Sequence, residues 1–309
     1  MIRILLTLSF FMPSLAIAQL FNVKITKIDT DTTVMAVADF GQHFFCLQED
    51  RTLLKVDTAT MKVLRQPLTI QTLTDLYSES DTLFGVTHQD SLYYFDGHDF
   101  RFAGRKAEAN LLYKDAEYKV IGSCSGEWGG TVYFVNRQTG KTFVCNATCP
   151  IMVNKLNTGY IVTASLAHLT GSTEILEISS PDQMKVHNFK PPKRKVINVG
   201  DNESRSKQGV KVLVDSVGIF TIGSFLIEGE MLHIVTNQNQ TFICRIVNRS
   251  FEIIQQISDK SLWSYRPACW YGKDGTGFSF FQNHESNGLM RIAGRDVLIY
   301  LFRNKSVSE

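Results

Sequence analysis

Between Lys119 and Pro150 the chain reads KVIGSCSGEWGGTVYFVNRQTGKTFVCNATCP, and this pattern restricts the fold more than any other feature. Short runs in which apolar residues alternate with polar ones are separated by turns rich in Gly, Asn and Gln. Period-two alternation over five to eight residues is what a half-buried strand requires. Turns of two to six residues between such runs leave room only for antiparallel neighbours. The same four-strand set recurs along the chain. First strands begin near Val34, Leu73, Asn110, Ile151, Ile219 and Pro267, at steps of 39, 37, 41, 68 and 48 residues. No stretch shows a helical apolar period of useful length.

A repeat of about 40 residues with four strands per unit matches one blade of a β-propeller. The expectation is therefore an all-β fold: a six-bladed β-propeller of four-stranded antiparallel blades, with a β-sandwich, a β-solenoid or a seven-bladed ring as rivals. Closure favours the ring, since an open row of blades leaves its first and last sheets exposed. A lone alternating run at Phe21–Ile28 is placed to pair with the outer strand of the sixth blade or to serve as an edge. The long fourth step holds one insertion, about 187–211, with adjacent prolines, the basic run KPPKRK and a polar tract. That is loop chemistry, and it predicts the most mobile segment of the chain, joining blade four to blade five on the loop face.

From Val34 to Phe302 the chain resembles six-bladed propellers of secreted bacterial proteins. The resemblance rests on the blade period. The sequence has no WD signature, no kelch double glycine and no repeated Asp-box; Asp274-Gly275-Thr276-Gly277-Phe278 is a turn. Such propellers include both binding modules and hydrolases, lactonases or lyases, so the resemblance leaves the activity open.

The N-terminus reads as a signal peptide over 1–18. Arg3 precedes the apolar core Ile4–Phe11, and Ala16-Ile17-Ala18 forms a small-x-small cleavage site. That core is too short to span a membrane. The expected product is one β-propeller domain, 19–309, secreted or periplasmic. With 32 Lys and Arg against 30 Asp and Glu, the chain carries +2, or +1 without Arg3. So weak a balance gives no field for nucleic acid or an anionic membrane. Export permits disulfides, and of the six cysteines Cys145 and Cys149 flank a turn and are placed for a local bridge. Cys46 and Cys244 sit within strands and read as buried thiols.

Function is sought on one face. In a propeller, the loops between second and third strands share a face with the connections between blades. Here those loops carry Glu127 and Trp128 in SGEWGG, His168 in AHLTGS and His284 in NHESN. The connection before the sixth blade carries Trp263, Tyr265 and Arg266. Exposed aromatics beside charged groups suit an extracellular peptide, protein or glycan. His88, His168 and His284 recur in blades two, four and six, but alternate blades hold their loops more than about 10 Å apart. A zinc ion needs its ligands within about 2 Å, so neither metal nor other cofactor is assigned. Gly122-Ser123-Cys124-Ser125-Gly126 mimics a nucleophile elbow, but a strand follows where that motif needs a helix. The preferred reading is a non-catalytic binding propeller. The alternative, an enzyme at the mouth of the channel, requires Asp39, Asp75, Asp115 and Asn154 to converge.

Overall fold

The computed structural model describes residues 21–108, 110–188, 200–265 and 267–305. The signal segment, the centre of the insertion and Arg266 lie outside the described residues. Six antiparallel sheets form the ring. Strand β1 (Asn22–Thr30) precedes the first blade, β2 (Val34–Phe40), β3 (His43–Gln48), β4 (Thr52–Asp57) and β5 (Val63–Pro67). Blade two comprises β6 (Leu73–Glu79), β7 (Thr82–Thr87), β8 (Ser91–Phe95) and β9 (Phe100–Lys106). Blade three follows with β10 (Leu111–Lys114), β11 (Tyr118–Gly122), β12 (Thr131–Asn136) and β13 (Thr142–Asn146). Blade four has β14 (Pro150–Leu156), β15 (Gly159–Leu166) and β16 (Ser172–Ile178). The next two strands, β17 (Lys185–Val186) and β18 (Lys211–Val217), part company, as described below. Blade five is β19 (Phe220–Ile227), β20 (Glu230–Thr236), β21 (Thr241–Val247) and β22 (Ser250–Ser258). Blade six is β23 (Ala268–Tyr271), β24 (Gly277–Gln282), β25 (Asn287–Ala293) and β26 (Asp296–Asn304).

Tight turns join the strands within each blade. The β6–β7 and β21–β22 hairpins turn on Ser80-Asp81 (φ 49° and 61°) and Asn248-Arg249 (φ 50° and 63°). Two successive positive φ angles match the right-handed twist of the flanking strands, and Asn and Asp tolerate them better than most residues. The innermost strands of blades one to five each carry a register shift near their first residues, at Met35, Thr74, Leu112, Ile151 and Ile222. A bulge at this place bends each strand where it enters the channel wall.

The ring closes through β1, which pairs in parallel with β26 from Asn22↔Asp296 to Thr30↔Asn304. It forms a fifth, outermost strand on blade six. Arg303 pairs with Asp29 across this join, and the Gln255 side chain clasps the Phe21 backbone at both its N–H and its C=O. Apolar clusters weld the blades pairwise. Leu47, Leu53, Leu73 and Leu76 join blades one and two, and Phe134, Val153 and Val162 join three and four. Ile161 with Phe251 joins four and five, Phe225 with Phe281 five and six, and Phe44 with Tyr300 six and one. Among the described residues no such cluster spans blades two and three.

The insertion departs from expectation. The run KVLVDSV at the end of the insertion is the outer strand of blade four: β18 pairs antiparallel with β16. The insertion therefore lies inside blade four, between its third and fourth strands, rather than between blades four and five. Before it, β17 crosses to pair with β13 and gives blade three a fifth strand. The two runs alternate alike, and only the ladder partner decides which edge each takes.

Candidate functional site

The candidate face is built outward from blade three. The β11–β12 loop contains the 3-10 turn Gly126–Trp128, held from two sides. One hold is covalent, a disulfide from Cys124 to Cys149, which ties the loop to the start of β14 in the next blade. The bridge expected between Cys145 and Cys149 is not formed. Cys145 points into the blade core, fully buried, and burial pushes its thiol up to about 12. Alternation explains the difference: Cys145 takes an inward position on β13, whereas Cys124 projects from a loop. Cys46 and Cys244 are buried free thiols, as their strand positions imply.

The second hold is Glu203, from the part of the insertion that follows residue 199. Ser123 Oγ and Thr131 Oγ1 donate to one carboxylate oxygen and Ser125 Oγ to the other, each at 2.6 Å. Burial raises the carboxyl's pKa, but the three hydroxyl donors outweigh it and leave the group below the usual carboxylate range. The Ser204 amide donates to Thr131 Oγ1 at 2.6 Å, and Asn146 binds the strap through its backbone N–H and its side chain. Lys207 completes the anchorage on Glu174. Residues 200–211 are thus docked along blades three and four, contrary to the mobility expected of the whole insertion. The polar tract satisfies hydroxyls of the ring instead of solvent.

These holds leave the Trp128 ring outside. Gly200 packs on the Trp128 backbone so closely that a Cβ there would lie 2.7 Å from its carbonyl oxygen. Glu127 meets His168 of blade four at 3.4 Å. The His168 carbonyl accepts the Gly171 N–H, and Gly171 in turn receives the ring of Phe220, whose Cε1 would lie 2.0 Å from a Cβ at that position. Phe220 stacks on Trp263 (5.6 Å, 17°), and Trp263 meets Tyr265 edge-on at 4.7 Å and His284 at 5.8 Å. The connection bearing Trp263 is itself pinned: Thr241 Oγ1 binds the backbone at Lys260 and Leu262, and Asn283 Nδ2 donates to the Trp263 carbonyl.

Six of the seven candidate residues therefore fall into two groups. Glu127, Trp128 and His168 form one; Trp263, Tyr265 and His284 form the other. Trp128 and Trp263 make no direct platform, yet the blade-four loop and Phe220 bridge them into one arc over blades three to six. Arg266 lies outside the described residues. His88 sits across the ring with neither other histidine, and no group of three metal-ligating side chains occurs among the described residues.

Two members were not singled out from the sequence. Leu169 follows His168, and Val217 ends β18 beside Gly171, where Gly218 N–H donates to the Gly171 carbonyl. Leu169 (81%), Val217 (75%), Trp128 (65%) and Tyr265 (65%) are the four most exposed large apolar side chains described, and all lie on this arc. The alternation of KVLVDSV was a legible signal for Val217. Nothing local marked Leu169 or Glu203.

The channel carboxylates do not converge. Asp39 accepts from Trp270 Nε1. Asp115 lies in the β10–β11 turn at the opposite face, bound by Lys155 (2.8 Å) and Tyr160 (3.1 Å). Asn154 is locked between Ser224 and Tyr271. The buried pair Ser224 Oγ and His233 Nδ1, at 2.8 Å, has no route to solvent, and burial alone takes His233 down to about 4.

No protein-family model matches the chain, and no curated protein matches it. Among solved structures it is similar to the crystal structure of BamB from Moraxella catarrhalis, with 12% identity and a TM-score of 0.44 over 82% of this chain and 83% of that one.

Proposed function

We propose that the chain is an exported, non-catalytic β-propeller that binds a protein or peptide segment on the arc of Glu127, Trp128, His168, Leu169, Val217, Trp263, Tyr265 and His284. One observation carries the reading: the four most exposed large apolar side chains share one face and are mounted on rigid supports. Scattered apolar residues need no explanation, but a contiguous set on one face is the mark of an interaction surface. Aliphatic Leu169 and Val217 between the aromatics suit apolar side chains of a polypeptide better than a sugar, which stacks on aromatic faces and needs more polar partners. Glu127 and His168 supply a polar rim. The Cys124–Cys149 disulfide supports export, because such bridges persist in oxidising compartments. The dispersal of Asp39, Asp115 and Asn154 favours binding over hydrolase or lyase chemistry.

Selection from a displayed peptide library tests this. Peptides enriched on the native protein should carry apolar or aromatic anchors, lose binding to a Trp128→Ala/Leu169→Ala variant, and protect the amides around 126–129, 168–171 and 263–265 from hydrogen exchange. Protection confined to other faces, or binding to a glycan array with no peptide enrichment, refutes the proposal.

A further inference from the structure

The seam between blades two and three differs from the other five. Where those are filled by buried apolar clusters, this one holds charged and aromatic side chains. Tyr77 stacks on Phe84 at 5.3 Å, Arg105 lies over the same ring, and Arg105 also reaches Glu79 at 3.8 Å. Glu108 pairs with Lys119 (3.1 Å) and Lys114 (3.8 Å). Through this seam a cavity of about 720 Å³ runs inward to the central channel. Across the channel, Tyr271 Oη donates to Asn154 Oδ1 at 2.8 Å and links the inner strands of blades four and six. The space left over is lined mainly by blades two and three, with the inner strand of blade six across the channel. A volume of this size is in the range of small-molecule sites.

Its electrostatics are one-sided at the channel end. Glu79 and Glu108 are neutralised by the bases just named, and Asp90 and Lys106 sit side by side at the rim, where β9 meets the β7–β8 turn. Asp75 has no such partner. One of its oxygens accepts the Leu76 N–H at 2.8 Å, and it makes no ion pair among the described residues. Asp39 is not part of this lining; its carboxylate is taken up by Trp270 and Ser78. The Asp75 side chain is open to the cavity, and desolvation by the surrounding wall raises its pKa. Tyr77 and Trp270 also line the cavity, and aromatic rings attract cations.

We propose that this cavity is a second binding site, distinct from the loop-face arc, for an organic cation: a primary ammonium or guanidinium carried on an apolar or aromatic body. The charged head lies against Asp75 in the channel, and the body extends into the seam beside Tyr77. A cation of this class supplies the missing counter-charge, and its apolar body fills the one seam that lacks a core.

Calorimetric titration of the full chain with phenethylamine and benzamidine, beside uncharged 2-phenylethanol, tests this. Both cations should bind saturably below about 10 mM, and the alcohol at least about tenfold more weakly. Asp75→Asn should weaken the cations about tenfold, while Asp75→Glu retains them. Ala268→Leu, which adds bulk to the channel wall without touching the charge, should also block binding and keeps the test valid if Asp75→Asn misfolds. Trp128→Ala should leave the titration unchanged, which separates this site from the peptide face. No saturable binding, equal binding of the alcohol, or an Asp75→Asn titration identical to that of the native protein overturns the proposal.

Discussion

Replacing Glu203 by alanine isolates the strap that supports Trp128. The carboxylate accepts three hydroxyl hydrogen bonds, from Ser123, Ser125 and Thr131. A hydrogen bond to a charged group contributes about 1.5–3 kcal/mol. Glu203 is only partly buried, and water replaces some of what is lost, so the three together are placed at about 2–3 kcal/mol rather than at their sum. The effect is local, because residues 200–211 touch the ring mainly through Glu203, Asn146 and Lys207. Hydrogen exchange reads it directly. The Ser204 amide, bound to Thr131 Oγ1, and the Asn146 amide, bound to the Ser206 carbonyl, should exchange about 30- to 150-fold faster, at a factor of ten per 1.4 kcal/mol. Amides of β20 should not change. Glu203→Gln should fall between, since its carbonyl still serves two of the hydroxyls. The pKa of Glu203 is depressed in the folded state, so its contribution is full above the ordinary value and fades as pH falls through the folded one. The native protein and the Glu203→Gln variant should therefore converge in strong acid. Unchanged exchange at Ser204 and Asn146, or uniform acceleration across all blades, would show that Glu203 is no strap.

Other expectations follow from the same contacts. The Cys124→Ser/Cys149→Ser variant should lose about 3 kcal/mol, since the bridge closes a loop of 25 residues, and thermal melting should show it as a drop of several degrees. The two loop tryptophans should behave differently: Trp128→Ala should leave the melting temperature nearly unchanged and reduce peptide binding. Trp263→Ala should cost about 2 kcal/mol, because its ring is stacked on Phe220 and packed against the blade five–six core. Acid titration followed by circular dichroism should show two steps. His233 is held neutral, with its pKa at about 4 against an ordinary 6.5, so the unfolded chain binds the extra proton and stability falls between those pH values. His233→Gln should flatten that step. For Asp115, burial opposes ionisation, but Lys155 and the backbone amides of residues 117 and 118 prevail and bring it to about 2. Its contribution is present above the ordinary carboxylate pKa and is lost as pH falls towards 2, so Asp115→Asn should remove the lower step.

The periodicity of alternating runs was enough to determine an all-β ring of six blades, because a strand's side chains alternate whatever surrounds it and short turns force neighbours to pair. Placement of the candidate residues on one face followed from the same regularity: Glu127, Trp128, His168 and His284 recur at equivalent loops, and Trp263 lies in a connection that returns to that side. Tertiary structure alone decided how these join. Cys149 reaches Cys124 rather than Cys145 because strand alternation turns Cys145 inward while two loops meet in space. Glu203 binds hydroxyls more than seventy residues earlier in the chain, a contact that no local spacing encodes. The Phe220 ring bridges the two aromatic groups only because Gly171 leaves room for it. The open seam between blades two and three is likewise a property of packing between sheets. Each blade's own pattern looks the same whether its neighbour fills the gap or leaves it hollow.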